Sequence, residues 1–354
     1  MIDTINIEIE KVKQSKIDQV DFDSIQFGRV YTDHMFLADY IDGDWRNFRI
    51  QPYDYLKVSP ANPAIHYGQS VFEGLKAYRN TDGEVLIFRP MDNFNRINIS
   101  AERLCIPELP EELFTQALTE LIKLDKNWVP SKRGSSLYIR PFIFATDEYV
   151  GIRPSDTYKF MIILAPVGAY YSDPVNVKIE RNYTRAVSGG TGFAKAAGNY
   201  AGSLYPTKLA IEQGYHQLIW TDGIEHEYIE ESGTMNIVFV IDNTLVTPTT
   251  SDSILDGITR RSVITLAREL GYKVEERKVS VKELLSAIRE NRLNEAFGVG
   301  TAATIAPIKA IGTDEERFDI PVGGEDALSA KILKALDEIR YGVVEDSHGW
   351  IMKI

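Results

Sequence analysis

Cysteine is almost missing from this chain: Cys105 is the only one among 354 residues. A single thiol excludes an internal disulfide framework and any cysteine-rich zinc or iron–sulfur site, and it fits a reducing compartment. Long apolar runs are missing as well. No segment approaches the roughly 20 apolar residues that a membrane-spanning helix requires. The opening stretch MIDTINIEIEKVKQS is interrupted by charge throughout, so no signal peptide is expected and the cytoplasm is the expected location. Basic residues are outnumbered, 39 to 51, which leaves a net charge of −12. A chain this acidic makes a poor partner for nucleic acid. Several motifs of well-known chemistry are also lacking. Lys195 is followed by Ala196, where a P-loop needs Ser or Thr. Gly190-Thr191-Gly192 opens like a dinucleotide fingerprint, but Lys195 stands where the third glycine belongs. His226 to Glu230 reads HEYIE rather than H-E-x-x-H, Ser70 sits in GQSVF rather than G-x-S-x-G, and no second cluster of metal-ligating residues is present. No metal is expected, and there is no fixed-period repeat or low-complexity tract.

What remains is an ordinary folded composition, 44% hydrophobic and 25% charged. At about 150 residues per domain, the length suggests two domains or three. Glu111–Lys126 places Leu113, Phe114, Ala117, Leu118, Leu121 and Leu124 on one helical face. Ser136–Phe144 and Tyr158–Pro166 are short, apolar, rich in aromatic and β-branched residues, and bounded by turn residues; both read as buried strands. Tyr170–Pro174 is polar and closed by proline, as a linker is. Beyond it the pattern restarts. Strands are predicted at Val175–Glu180, His216–Trp220 and Met235–Ile241. Helices are predicted up to about Gln213, over Thr259–Leu270 with Gly271 behind it, and over Asp326–Arg340. The expected class is α/β (α+β), with a boundary near residues 169–181. Strand order does not follow from one sequence.

The least ordinary segment is Ala186–Ser203, AVSGGTGFAKAAGNYAGS, with five glycines and one charged group, Lys195. A lysine is most often a solvated surface cation. Here Phe193, Ala194, Ala196 and Ala197 flank it and offer no partner. Desolvation disfavours the ammonium form, which makes the amine a usable nucleophile, and the glycines allow a ligand to approach the backbone. Glu230 and Glu231 lie where one strand turns into the next. They read either as a solvated turn or as a carboxylate aimed at a cationic ring nitrogen. Asp256-Gly257 opens the helix carrying Thr259, either as a plain Asp N-cap or as an anion site on free backbone N–H groups. In Gly298–Ala303 (GVGTAA), small residues follow an apolar stretch and would also let backbone approach a ligand.

With these residues assembled, the chain resembles the branched-chain amino-acid aminotransferases, which belong to the fold-type IV pyridoxal-phosphate enzymes. The likeness runs from FGRVYTDHM at Phe27 to EIRYG ending at Gly342. Its strongest pieces are HYGQSVFEGLKAYR, SLYIRPFIFAT, SGGTGFAKAAGNYAGSL, EESGTMN, GITRRS and GVGTAA, in that order. The resemblance implies a small N-terminal α/β domain (1–168), a linker (169–181) and a larger C-terminal cofactor-binding domain (182–354), with the cofactor at the domain interface. Lys195 matches the family's Schiff-base lysine. Tyr200 matches the tyrosine that holds the cofactor's phenolic oxygen, and Glu231 the acid that pairs with the pyridine nitrogen. Arg96, in NFNRINISAERL, matches the phosphate-binding arginine; Ile258, Thr259 and Thr301 match further phosphate donors. Thr234, Ala302 and Ala303 match groups near the substrate α-carboxylate. Phe27, Tyr67, Tyr138, Arg140 and Tyr170 match the wall of the side-chain pocket. The family is dimeric, with sites shared across the interface, so a homodimer is implied.

The activity implied is ping-pong transfer of an amino group from leucine, isoleucine or valine to 2-oxoglutarate, giving the branched 2-oxo acid and glutamate. The pocket must then accept an aliphatic side chain and a distal carboxylate in turn. Phe27, Tyr67 and Tyr170 suit the first, and Tyr138 and Arg140 suit the second unless Arg140 is a structural ion pair. One departure stands out: where mammalian members carry C-x-x-C after G-T-A, this chain has Ala303 and Ala306. Two alternatives remain open at this point: another fold-type IV enzyme, such as a D-amino-acid aminotransferase or an aminodeoxychorismate lyase, or a non-catalytic binding protein.

Overall fold

The sequence patterns resolve into two units in the computed structural model, which describes residues 5–168 and 173–354. The first unit takes residues up to 168 together with 194–197 and 339–354; the second takes 173–193 and 198–338. Both are mixed α/β.

In the first unit a nine-stranded sheet runs in the order Glu8–Ile9, Asp44–Pro52, His34–Ile41, Tyr158–Val167, Ser136–Ala145, Leu75–Arg79, Val85–Phe88, Ile351–Lys353, with Ser70–Phe72 also set against Ser136–Ala145. All of its pairings are antiparallel except that of Glu8–Ile9 with Asp44–Pro52. The two strands predicted from apolar runs pair with each other from Ser136↔Val167 to Ala145↔Tyr158. Side chains alternate across a strand, and this divides Ser136–Ala145 by chemistry. Leu137, Ile139 and Ile143 enter the main core, which also holds Phe36, Phe160, Ile162 and Trp128. Tyr138, Arg140, Phe142 and Phe144 take the other face. The predicted helix appears as Glu111–Leu124. Its Leu113, Phe114, Ala117, Leu118 and Leu121 are buried in that core, while Leu124 packs at the margin. Pro90 opens the helix Pro90–Arg103, where its missing N–H and fixed φ cost nothing.

In the second unit the order is Ile229–Ser232, Gln217–Thr221, Val175–Ile179, Thr304–Gly312, Leu293–Gly300, Met235–Ile241, Thr244–Thr247, Val274–Glu276, with Arg317–Asp319 on Thr304–Gly312. Ile229–Ser232 pairs with Met235–Ile241 as well, so six strands form a closed ring of pairings and keep no free edge. Their inner apolar residues, among them Val177, Ile237, Phe239 and Ile311, form a second core. Of the predicted helices, Thr259–Leu270 appears as Ile258–Glu269, with Gly271 behind it at φ 81°. The glycine-rich segment gives two short helices, Ala197–Ala201 and Leu204–Glu212, rather than one. Leu328–Arg340 buries Leu328, Ile332, Leu336 and Ile339 as the spacing requires. Among the described residues, no helix is long and apolar enough to cross a membrane.

Candidate active site

Lys195 belongs to the first unit. Its peptide is pinned on both sides: its N–H donates to the buried Ser100 Oγ at 2.9 Å, and its carbonyl accepts from the Phe72 N–H at 3.0 Å. A bridge between Val71 and Ala196 continues this pairing. The side chain is half-buried, with Nζ 4.9 Å from the centre of the Phe72 ring. An aromatic face attracts the ammonium form without supplying a counter-charge. The local apolar setting expected from the sequence therefore comes from Phe72 as well as from the flanking alanines.

Arg140 meets the same ring: its Cζ lies 4.5 Å from the Phe72 centroid, and its Nη2 donates to the Tyr138 hydroxyl at 2.8 Å. Arg140 Nε is buried and has no hydrogen-bond partner, and no carboxylate pairs with this guanidinium among the described residues. The structural ion pair considered for Arg140 is not what holds it. The Phe27 ring meets Tyr138 edge-on at 5.0 Å. Gly74 leaves the space that Tyr138 fills, since a Cβ there would overlap its hydroxyl. Tyr67, the last residue of the helix Pro63–Tyr67, is 43% exposed and packs against the ring of His66. Tyr170 lies outside the described residues.

Arg96, from the helix Pro90–Arg103, is buried and makes a two-pronged pair with Glu73: Nε to Oε1 at 2.7 Å and Nη2 to Oε2 at 2.8 Å. Glu73 is fully buried. The fork fixes the guanidinium plane, which a buried charge needs if it is to be held in one orientation.

The acid, Glu231, lies in the second unit. Glu231 is 3% exposed and its carboxylate is held from three sides. Arg185 Nε lies 2.6 Å from Oε2; the Leu255 N–H and Asn236 Nδ2 donate to Oε1 at 2.9 and 3.2 Å. Glu230 is buried as well, so the solvated-turn reading of this pair is overturned. The reason is a β-bulge: Trp220 pairs with Glu231 and Thr221 with Ile229, which leaves Glu230 as the extra residue. A bulge re-aims side chains. Glu230 Oε1 accepts from Ser253 Oγ at 2.5 Å. Burial pushes the Glu230 carboxyl above its usual range, against the lowering effect of Ser253 and Arg185.

Tyr200, on the helix Ala197–Ala201, lines one small pocket with Arg185, Asn199, Glu231, Thr234 and Leu255. Thr234 is exposed at the tip of the turn between Ile229–Ser232 and Met235–Ile241. Ile258 and Thr259 are buried at the start of their helix. The N-cap there is Gly257, with no side-chain hydrogen bond to the first amides, and Asp256 lies 3.6 Å from Arg261 instead. The plain Asp N-cap is thus overturned, since the N-cap position is taken by Gly257. Thr301, Ala302 and Ala303 form the half-buried turn between Leu293–Gly300 and Thr304–Gly312. They do not line the Tyr200 pocket, nor do Ile258 and Thr259.

Sequence reasoning did not single out Phe72, Glu73, Ser100, Arg185 or Asn236. Phe72 and Glu73 stand in a stretch quoted for the resemblance and Asn236 closes another, but spacing gave them no role. The residues present fit a phosphorylated, cationic heterocycle with an aldehyde. In the second unit these are the Glu231 carboxylate clasped by Arg185, Leu255 and Asn236, the Tyr200 phenol lining the same pocket, and the helix start at Gly257; in the first unit it is the half-buried amine of Lys195.

The comparisons agree with this chemistry. The sequence profile of the family described as amino-transferase class IV matches residues 70–311, and the chain belongs to that family. Within it, the chain is 46% identical to branched-chain-amino-acid aminotransferase 2 of Bacillus subtilis (strain 168), over 99% of this chain and 97% of that one. It is also 46% identical to branched-chain-amino-acid transaminase 1 of the same strain, over 98% and 99%. Among solved structures, it superposes on the branched-chain aminotransferase of Thermoproteus uzoniensis, solved with norvaline, with a TM-score of 0.74 at 27% identity, covering 90% of this chain and 99% of that one. A T.th. branched-chain amino acid aminotransferase complexed with N-(5'-phosphopyridoxyl)-L-glutamate matches with a TM-score of 0.71 at 27% identity, covering 89% and 97%.

Proposed function

We propose that this chain is a branched-chain amino-acid transaminase that uses pyridoxal 5'-phosphate to move the amino group of L-leucine, L-isoleucine or L-valine to 2-oxoglutarate. The observation that carries this reading is the buried Glu231 carboxylate, clasped by Arg185, Leu255 and Asn236 beside Tyr200. When bound, the cofactor supplies the aldehyde that takes up the amino group and an electron sink for the bond at Cα.

Each residue then has a task. Lys195 Nζ holds the cofactor between turnovers and, once released, carries the proton between substrate Cα and cofactor C4'. Glu231 keeps a proton on the pyridine nitrogen, and its burial strengthens that interaction relative to water. The Tyr200 hydroxyl donates to the phenolic oxygen. Arg96, the N–H groups at Ile258 and Thr259, and the hydroxyls of Thr259 and Thr301 bind phosphate; the helix start contributes partial positive charge. Thr234 and the backbone of Ala302 and Ala303 orient the α-carboxylate. Phe27, Tyr67 and Tyr170 enclose an aliphatic side chain, while Tyr138 and Arg140 donate to the distal carboxylate of glutamate or 2-oxoglutarate. The unpartnered Nε of Arg140 supports that assignment. The enzyme works as a cytoplasmic homodimer on small molecules, with no nucleic-acid or membrane partner.

Borohydride reduction of the cofactor-loaded protein, followed by peptide mass mapping, tests the reading. A pyridoxyl mass is expected on the peptide that carries Lys195. Its appearance on another residue, or on none, would overturn the proposal. Turnover of L-leucine well above D-alanine is the companion result expected.

A further inference from the structure

Asn236 touches more of the second unit's chemistry than any role given to it so far explains. It lies on Met235–Ile241, paired directly across from Glu231, and is buried. Its Nδ2 donates twice, to Glu231 Oε1 at 3.2 Å and to the Leu255 carbonyl at 2.9 Å. The Leu255 N–H donates to the same Glu231 oxygen at 2.9 Å. Both targets of Nδ2 are acceptors only, so chemistry alone fixes which way the amide faces. The other end of the side chain abuts Gly257: a Cβ at that position would overlap Asn236 Oδ1 and crowd Arg260 Cβ. Gly257 is the N-cap of Ile258–Glu269, whose first amides have no side-chain cap.

One side chain therefore touches the acid, the peptide at residue 255 and the residue that opens the helix. We propose that Asn236 is a positioning residue that fixes the Glu231 carboxylate relative to the start of Ile258–Glu269, so that acid and phosphate donors are set as one piece. This rests on the roles proposed above for Glu231 and for that helix start. The requirement is specific to an amide. Aspartate would place a second carboxylate against Oε1 and give the Leu255 carbonyl no donor. Alanine or leucine would leave both acceptors short of one donor, and a lost hydrogen bond to a charged group is the expensive kind.

The test uses full-length protein and two ligands, pyridoxal 5'-phosphate and its 1-deaza analogue, which lacks the ring nitrogen. Wild type is expected to prefer the natural cofactor, and Glu231→Gln to lose that preference. Asn236→Ala should bind the natural cofactor about tenfold more weakly, the scale of one lost hydrogen bond to a charged group, and its preference over the analogue should collapse toward that of Glu231→Gln. The phosphorus resonance of the bound cofactor should shift in Asn236→Ala but stay put in Glu231→Gln. Asn236→Asp should be at least as impaired as Asn236→Ala. Equal weakening of both ligands, with the preference intact, would mean a general packing role and would overturn the proposal. Should Glu231→Gln itself keep the wild-type preference, the assignment of Glu231 falls and this proposal with it. If the Asn236 variants do not fold, Gly257→Ala displaces the same side chain from the other end. It should shift the phosphorus resonance and weaken the cofactor; wild-type behaviour there would count against the proposal.

Discussion

Arg140 is the side chain proposed above to meet the distal carboxylate of glutamate or 2-oxoglutarate. Its Nη2 leans on the Tyr138 hydroxyl, its Nε is buried without a partner, and the Phe72 ring lies 4.5 Å from Cζ. A guanidinium held this way can accept a carboxylate with little reorganisation, because its plane is already fixed. Arg140→Leu is expected to raise the KM for glutamate and 2-oxoglutarate by about tenfold or more, the scale of one lost charge-assisted hydrogen bond, while leucine changes several-fold less. Steady-state kinetics with each substrate checks this, and equal losses would return Arg140 to a structural role. Lys195 shows the complementary case: the sequence marked the residue by its neighbours, but the Ser100 and Phe72 contacts that pin its peptide come from far earlier in the chain.

Helices and strands place these groups by ordinary means. Ser280 caps Val281–Arg289, its Oγ accepting from the Glu283 N–H at 3.0 Å, and Glu283 returns an ion pair to Arg277. Ser280→Ala should cost about 1 kcal/mol of stability, read by urea denaturation, with no change in cofactor affinity because no proposed cofactor ligand lies on that helix. Contrast Ile258–Glu269, whose N-cap is Gly257 and carries no side-chain cap: its first amides are the ones proposed above to bind phosphate. The patterns at this level were largely legible. Leu113, Phe114, Ala117, Leu118 and Leu121 advertised their helix, and the β-branched runs advertised their strands, because burial on one face imposes a period. The bulge at Glu230 was not legible. It depends on which strand Ile229–Ser232 meets, and pairing partners are chosen by packing far along the chain.

Across the protein as a whole, buried acids set how stability responds to pH. Glu230 has its carboxyl pushed up by burial, so the folded state binds a proton that the unfolded chain releases. In the window between the usual carboxylate range and the raised folded value, stability therefore falls as pH rises. Glu230→Gln removes that dependence. Relative to wild type, the variant should gain stability progressively as pH rises from about 5, measured by denaturant titration at each pH; a constant difference would show that Glu230 does not titrate in this way. Asp222 acts in the opposite sense: against the cost of burial, four backbone N–H groups hold it at about 2, so its contribution is present at neutral pH and disappears only in strong acid.

Residue types and their local spacing were enough to single out Lys195, the Glu230-Glu231 pair and the helix start at Asp256-Gly257 as candidates, while Tyr200 came only from the family resemblance. They were enough, too, for the α/β class, since periodic burial leaves its imprint on any stretch of helix or strand. Strand order lay beyond them, as did the bidentate grip of Glu73 on Arg96, the three donors around Glu231 and the amide of Asn236 between acid and helix. Those depend on atoms brought together across long stretches of chain, where close packing and the cost of leaving a buried polar group unpaired select one arrangement that no local pattern encodes.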